Sequence, residues 1–435
     1  MKLNLSIILV LTMLSSVAQE TFTLTKAHTY ALDNNKNITN AKLDQKSMES
    51  KIWEIKSSGL PQVNGSLEFQ NFIDIPTQVL PANAFNPAAP ADELVGLQFG
   101  TNYNATGGIN VSQLLFSGNY IVGVQAIKAS SQIYAQLTEK QEIDVKADVS
   151  EAFYTVLILK ENKAILDSTL ENMAKLYELT QKLVTEEVMI RTDAAQLELG
   201  VVQIENAIST LESQIILSKN LLKFQMGYPL ASEIKLEGTL DPDLIQIGSV
   251  INPENNIDYK MLTTQLELNQ LSLKNTKANY LPTVSAFFSY QQQALRNEFN
   301  FFASGESWYP TTLWGVKISV PIFSSGQRNS QVEQAAIEVD KTEFSMEMLS
   351  EGLQLQILQA QTSYDVAIRK MEMHTRAQQI AAEVLKDKET LFKEGVATSI
   401  EITQAQSQLL TESTNYTNAL FEMIKSKLTL EKLSK

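Results

Sequence analysis

Groups that could do chemistry are sparse in this chain. Its 435 residues include no Cys and only two His, His28 and His374. Thiol nucleophiles, disulfides, Cys-ligated zinc, iron–sulfur clusters and a lipid anchor on an acylated Cys are therefore excluded. Met371, Met373 and His374 gather soft donors, with Met371 and His374 on one helical face at i and i+3. Such donors suit copper or silver. In the middle of a long helix the same residues read as core filler, the usual use of Met. No Ser-His-Asp set, no paired acid and base carboxylates and no Gly-rich phosphate loop is present, so neither an enzyme nor a cofactor or resident metal is expected.

Two other groups stand out by position. Asp193 and Glu401 each follow a break in a helical pattern, where a carboxylate interacts well with the dipole of the helix it starts. Trp308, Tyr309 and Trp314 lie close to Phe299, Phe301 and Phe302. They read as an aromatic girdle at a membrane interface or as a buried aromatic cluster.

The formal charge of −14 and pI near 4.8 argue against nucleic acid, which needs a basic face. The amino terminus reads as an export signal over residues 1–18. Lys2 is the positive region, Ile7 to Leu14 the apolar core, and Ser16-Val17-Ala18 the small residues before cleavage. That core is too short to span a bilayer, which takes roughly 20 residues, and no later segment offers a transmembrane helix.

The eleven prolines fall in three clusters, Pro61 to Pro90, Pro229 to Pro253 and Pro282 to Pro321. The long stretches without Pro, poor in Gly and rich in Ala, Leu, Gln, Glu and Lys, read as long helices. Leu166, Leu170, Met173, Tyr177, Thr180 and Val184 recur at alternating spacings of 4 and 3, as do Leu197, Val201, Ile204, Ile208, Leu211, Ile215, Ser218 and Leu222. These are coiled-coil seams. The break between them predicts an antiparallel helical hairpin turning near 187–193. A helix from Asn119 to Val184 would be roughly 100 Å long at 1.5 Å per residue, too long for a globular core.

The proline-flanked segments alternate with period two. Val63, Gly65, Leu67 and Phe69 alternate with polar residues, as do Ile109 and Val111, Val284 to Tyr290, and Trp314 to Val320. Four strands are expected, at about 61–71, 107–116, 282–291 and 313–321. A soluble antiparallel sheet gives the same alternation as a membrane barrel. Lys317 falls on the polar face of its strand.

The chain also repeats itself. Leu60-Pro61-Gln62-Val63 opens the first strand and Leu281-Pro282-Thr283-Val284 the third. Phe116-Ser117-Gly118 closes the second and Phe323-Ser324-Ser325-Gly326 the fourth, with Phe116 and Phe323 separated by 207 positions. Asp193 and Glu401 are 208 positions apart, as are Gln196 and Gln404. Each half reads helix, strand, loop, strand, very long helix, turn, helix. The first repeat covers 19–227, a connecting segment 228–258, and the second repeat 259–435, with its hairpin turning near 395–401. The loop between the first two strands is the longer one, rich in Pro, Ala and Asn around Ile75 to Asp92.

Together the duplicated architecture, the Leu-Pro-x-Val openings, the Phe-Ser-x-Gly exits and the Phe392-Lys393-Glu394-Gly395 turn followed by Glu401 and Gln404-Ala405-Gln406 resemble the TolC family of outer-membrane efflux proteins. The resemblance covers essentially the whole mature chain. It implies a mainly α fold with a transmembrane β-barrel portion. Three copies would share a twelve-stranded barrel in the outer membrane, and their helices would form a long periplasmic coiled-coil tunnel. It also implies an exit duct of a tripartite efflux or type I secretion system, partnered by a periplasmic adaptor, an inner-membrane transporter and outer-membrane lipid. By position, Asp193 and Glu401 would form the ring at the periplasmic entrance, and Gln404 stands where the family often has a second acid. Glu187, Arg191, Gly395 and Ser399 would lie at the adaptor-docking tips, with Glu187 where the second half has Gly395. The rival expectation is a secreted coiled-coil structural protein with a soluble sheet. A passive porin is disfavoured, because it has no use for such long helices.

Overall fold

The computed structural model describes residues 20–85, 88, 90, 92–238 and 251–435. The export signal over 1–18 and positions 239–250 of the connecting segment lie outside the described residues. Two units are distinguished. One comprises Met1–Gln45, Ile133–Thr263 and Phe344–Lys435, the other Lys46–Gln132 and Thr264–Glu343.

The elements run in chain order. β1 (Glu20–Phe22), α1 (Leu24–Asn34) and α2 (Lys36–Ser57) lead into β2 (Gln62–Asn71), β3 (Thr77–Pro81), β4 (Leu94–Gln98) and β5 (Tyr103–Phe116). The long α3 (Gly118–Thr185), α4 (Arg191–Met226) and the short β6 (Ile234–Leu236) follow. The second half gives α5 (Ile257–Ala278), β7 (Thr283–Arg296), β8 (Tyr309–Ser319), α6 (Gln327–Lys393) and α7 (Ser399–Leu433). Both long hairpins are present, the first expected from its heptads and the second from the repeat, with α3 of 68 residues and α6 of 67. No helix among the described residues is long and apolar enough to cross a membrane.

The unit holding residues 46–132 and 264–343 contains one four-stranded antiparallel sheet in the order β2-β5-β7-β8. Its register places the four predicted alternations on a single face. Val63, Val111, Phe288 and Trp314 stand side by side, and the next row holds Gly65, Ile109, Tyr290 and Thr312. A bulge between Leu114 and Phe116 brings Phe116 opposite Val284, which faces Ile318. A one-residue slip at any pairing would move a whole strand's apolar set to the other side. The opposite face carries Asn64, Asn110 and Ser289 in one row, and the Ser289 hydroxyl donates to Asn110 Oδ1 at 2.6 Å. Lys317, beside Ser285, lies on that face as expected. The apolar face is uncovered: Leu67 is 82% exposed and Trp314 80%.

In the other unit the two seams meet. Leu166, Met173, Leu197, Ile204, Ile208, Leu211 and Ile215 of the first hairpin share one buried cluster with Ala381, Leu385, Phe392, Ile402, Ala405 and Leu409 of the second. Gly200 of α4 lies against α7, where fully buried Gln406 donates from Nε2 to the Gly200 carbonyl at 2.7 Å. A Cβ at position 200 would collide with Gln406 Oε1 and press on Met173. A second cluster joins Phe22, Ala27, Ile38, Val149, Phe153, Leu222 and Met226, and includes the parallel pair β1 and β6. That pair, three residues per strand, has no sequence signal of its own.

The paired helical turns as the candidate functional site

The two hairpin turns are the same structure built from different residues. In the first, Val188 and Met189 both donate their N–H to the Leu183 carbonyl, at 2.8 and 3.2 Å. In the second, Val396 and Ala397 both donate to Leu391, at the same two distances. Each pair of equivalents is offset by 208 positions. Glu187 and Gly395 hold the left-handed residue of the turn, with φ of +62° and +75°. Only glycine adopts that conformation without a steric cost, so Glu187 is strained where Gly395 is not.

The helices that leave the turns start differently. α7 has Thr398 at its N-cap, and a full capping box forms with Glu401 three residues on. Glu401 Oε2 accepts from the Thr398 N–H at 2.9 Å and from its hydroxyl at 3.2 Å. The other carboxylate oxygen accepts from Lys388 Nζ at 2.7 Å. Lys388 first, and then the Thr398 bonds, pull the Glu401 pKa down to about 2. The equivalent N-cap of α4 is Ile190, which makes no side-chain cap. Asp193 therefore has no box partner and instead accepts from the Ser399 hydroxyl at 2.6 Å, joining the two turns.

The candidate site residues thus fall into two sets. Asp193, Glu401 and Ser399 are held in specific hydrogen bonds, and Ser399 is only 1% exposed. Its side chain lies inside the chain and not at an open tip. Glu187, Arg191, Gly395 and Gln404 are exposed. So are Val188, Ile190, Val396 and Ile400, four apolar side chains that sequence patterning did not single out. Lys388 was missed as well, because 13 positions separate it from Glu401 and only the folded turn brings them together.

Two other sequence candidates are located. Among Met371, Met373 and His374, Met373 is exposed, Met371 packs beside the cluster of Tyr364, Leu420 and Met423, and His374 Nδ1 lies 3.3 Å from Glu412 Oε2. The aromatic group divides. Phe299, Phe301 and Trp308 pack with Phe69 and Tyr103 through edge-on, tilted and stacked ring contacts. Phe302 and Trp314 remain exposed. Of the six aromatics only Phe301 is buried, and Phe299, though it stacks in that group, is itself exposed.

Residues 254–434 match the model of a family described as outer membrane efflux protein. No curated protein matches the chain. Among solved structures, the chain is similar to CusC, studied for conformational changes accompanying folding and transmembrane channel formation. Identity is 13%, the TM-score 0.73, and the match covers 94% of this chain and 91% of that one. The outer membrane protein VceC of Vibrio cholerae matches at 16% identity and TM-score 0.69, over 94% and 96% of the two chains. The Campylobacter jejuni CmeC outer membrane channel matches at 15% identity and TM-score 0.70, over 94% and 85%. At these identities the likeness establishes the fold.

Proposed function

We propose that the chain, whose residues 254–434 match the outer membrane efflux protein family and which folds like solved channels, is an outer-membrane exit duct. Three copies share one barrel, and cargo passes from a periplasmic adaptor and an inner-membrane pump to the exterior. The observation that carries this reading is the uncovered apolar face of the β2-β5-β7-β8 sheet. A soluble sheet of this size packs its apolar face against something. Here the face suits lipid. The sheet also leaves two open edges, on β2 and β8. Open edges are not tolerated in hydrocarbon, and bacterial barrels of this type start at about eight strands. Association of copies removes the edges, and three copies give about twelve strands, within the known range.

The paired turns supply the entrance. Asp193 and Glu401, one from each repeat, place six carboxylates around the narrow end of a trimeric duct, with Gln404 one turn further along. Lys388 offsets part of the Glu401 charge, so Asp193 contributes most of the field. Focusing in a constriction favours cations. Glu187, Arg191 and Gly395, with the apolar Val188 and Val396 beside them, dock the adaptor. The duct hydrolyses nothing, and the pump supplies the energy. Reconstitution in planar bilayers tests the reading. Discrete, cation-preferring conductance that a trivalent cation blocks from the periplasmic side is expected. In the double variant Asp193→Asn with Glu401→Gln, preference and block should both fall. A protein that never conducts overturns the duct, and a double variant with unchanged selectivity and block overturns the entrance.

A further inference from the structure

The segment between β2 and β5 is not a plain loop. β3 and β4 pair as an antiparallel hairpin, with Val79 opposite Gly96 and Leu80 opposite Val95. Its base is fixed where Phe72 donates its N–H to the Asn102 carbonyl at 2.8 Å, and its tip where Ala82 donates to Glu93 at 2.8 Å. An isolated two-stranded hairpin is marginal in water and needs something to cover it. Yet Val79, Phe85, Leu94 and Phe99 are exposed, and Ile73, which leads into it, is 92% exposed. At the same end of the sheet the connection from β7 to β8 leaves Phe302 93% exposed. That connection is held in place by buried Arg296, whose guanidinium donates to the Ser307 carbonyl at 2.7 Å and lies 3.4 Å from Glu306.

The direction of the strands brings these two apolar surfaces together. Three successive antiparallel pairings separate β2 from β8, so the two edge strands run in opposite senses. When sheets join edge to edge, β2 of one copy lies antiparallel to β8 of the next. The end of β2 at Asn71 then meets the start of β8 at Tyr309. We infer that the β3–β4 hairpin of each copy packs on the β7–β8 connection of the next copy, Ile73 against Phe302, as an apolar clasp around the barrel rim. This rests on the shared-sheet reading above. The contact is apolar and not ionic. Residues 72–102 and 297–308 contain no Lys or Arg, and both carry acids, Asp74, Asp92 and Glu93 in the first and Glu298 and Glu306 in the second.

The absence of Cys makes the test clean. Two differently tagged forms of the full chain are co-expressed, one with Ile73→Cys and the other with Phe302→Cys, and treated with a bis-maleimide of about 10 Å reach, enough to cover a two-residue uncertainty in register at ~3.4 Å per residue. A second mixture, Val63→Cys with Ile318→Cys, probes the other end of the same seam. Both mixtures should shift from one-chain to two-chain mobility and carry both tags. If the seam pair crosslinks and the rim pair does not, the clasp is wrong and the shared sheet stands. If neither crosslinks, both fall. A single chain carrying Ile73→Cys and Phe302→Cys that links only internally also overturns the clasp.

Discussion

Glu187 and Gly395 occupy one place in the two repeats, and both hold it with positive φ, +62° and +75°. The turn's hydrogen bonds to Leu183 and Leu391 demand that conformation, and only Gly395 meets it without a Cβ. Gly395→Ala should therefore raise local opening of its turn by about 1 kcal/mol, and Glu187→Gly should leave its turn equal or slightly tighter. Hydrogen exchange of the amides of Val188 and Val396 reads both. Gly395→Val should in addition abolish export while trimers still assemble.

Glu401 sets a pH dependence. Its folded pKa, about 2, lies below the ordinary 4.5 because Lys388 and then Thr398 hold its charged form. A depressed carboxylate pKa adds stability that is full above the unfolded value and disappears as pH falls through the folded one. The start of α7 should therefore loosen between about pH 4.5 and pH 2. Glu401→Gln keeps a capping side chain, and it should remove this pH dependence. Exchange of the amides following Thr398, corrected for intrinsic rates, gives the comparison. Thr398→Ala should cost about 1 kcal/mol, the usual value of an N-cap, and the cost should be larger above the Glu401 transition than below it, because the Thr398 hydroxyl is one of the groups that hold the Glu401 charge.

Gly200 and Gln406 form a coupled pair. Gly200→Ala drives a methyl into Gln406 Oε1, and overpacking of this kind costs typically 1–3 kcal/mol. Gln406→Ala loses the bond to the Gly200 carbonyl and costs roughly 1–3 kcal/mol. The double variant should be more stable than the sum of the two losses implies. Thermal unfolding of the three variants tests this, and strict additivity would contradict the close approach of α4 and α7.

Much of this architecture was legible from residue spacing. The heptads of Leu166 to Val184 and Leu197 to Leu222 name most of the first hairpin's buried seam. The alternations of Val63, Ile109, Val284 and Trp314 fall on one face because the register aligns them. The turns stand slightly before the expected 187–193 and 395–401, because the carboxylates are not the first residues of their helices. They stand three residues past the caps, Ile190 and Thr398. The β3–β4 hairpin was hidden because Pro76, Pro81 and Pro90 interrupt it and each strand has only five residues. The partners of Asp193 and Gln406 lie 206 positions away and no local pattern reports them.

The two faces of the sheet should respond oppositely to charge. Trp314→Arg places a cation on the apolar face, which in a bilayer costs about 2–4 kcal/mol near the midplane. Ser289→Arg, on the polar face, should be tolerated. Heat-modifiable migration of outer-membrane fractions reports correct insertion, and it should be lost only for Trp314→Arg. Equal tolerance would mean that the Trp314 face meets water.

The central claim is that the four-stranded sheet is one third of a closed barrel. Light scattering of the detergent-solubilised protein, corrected for bound detergent, measures it directly. The account predicts outer-membrane protein with three chains per particle at every concentration tested. Single chains recovered from the soluble periplasmic fraction would contradict it.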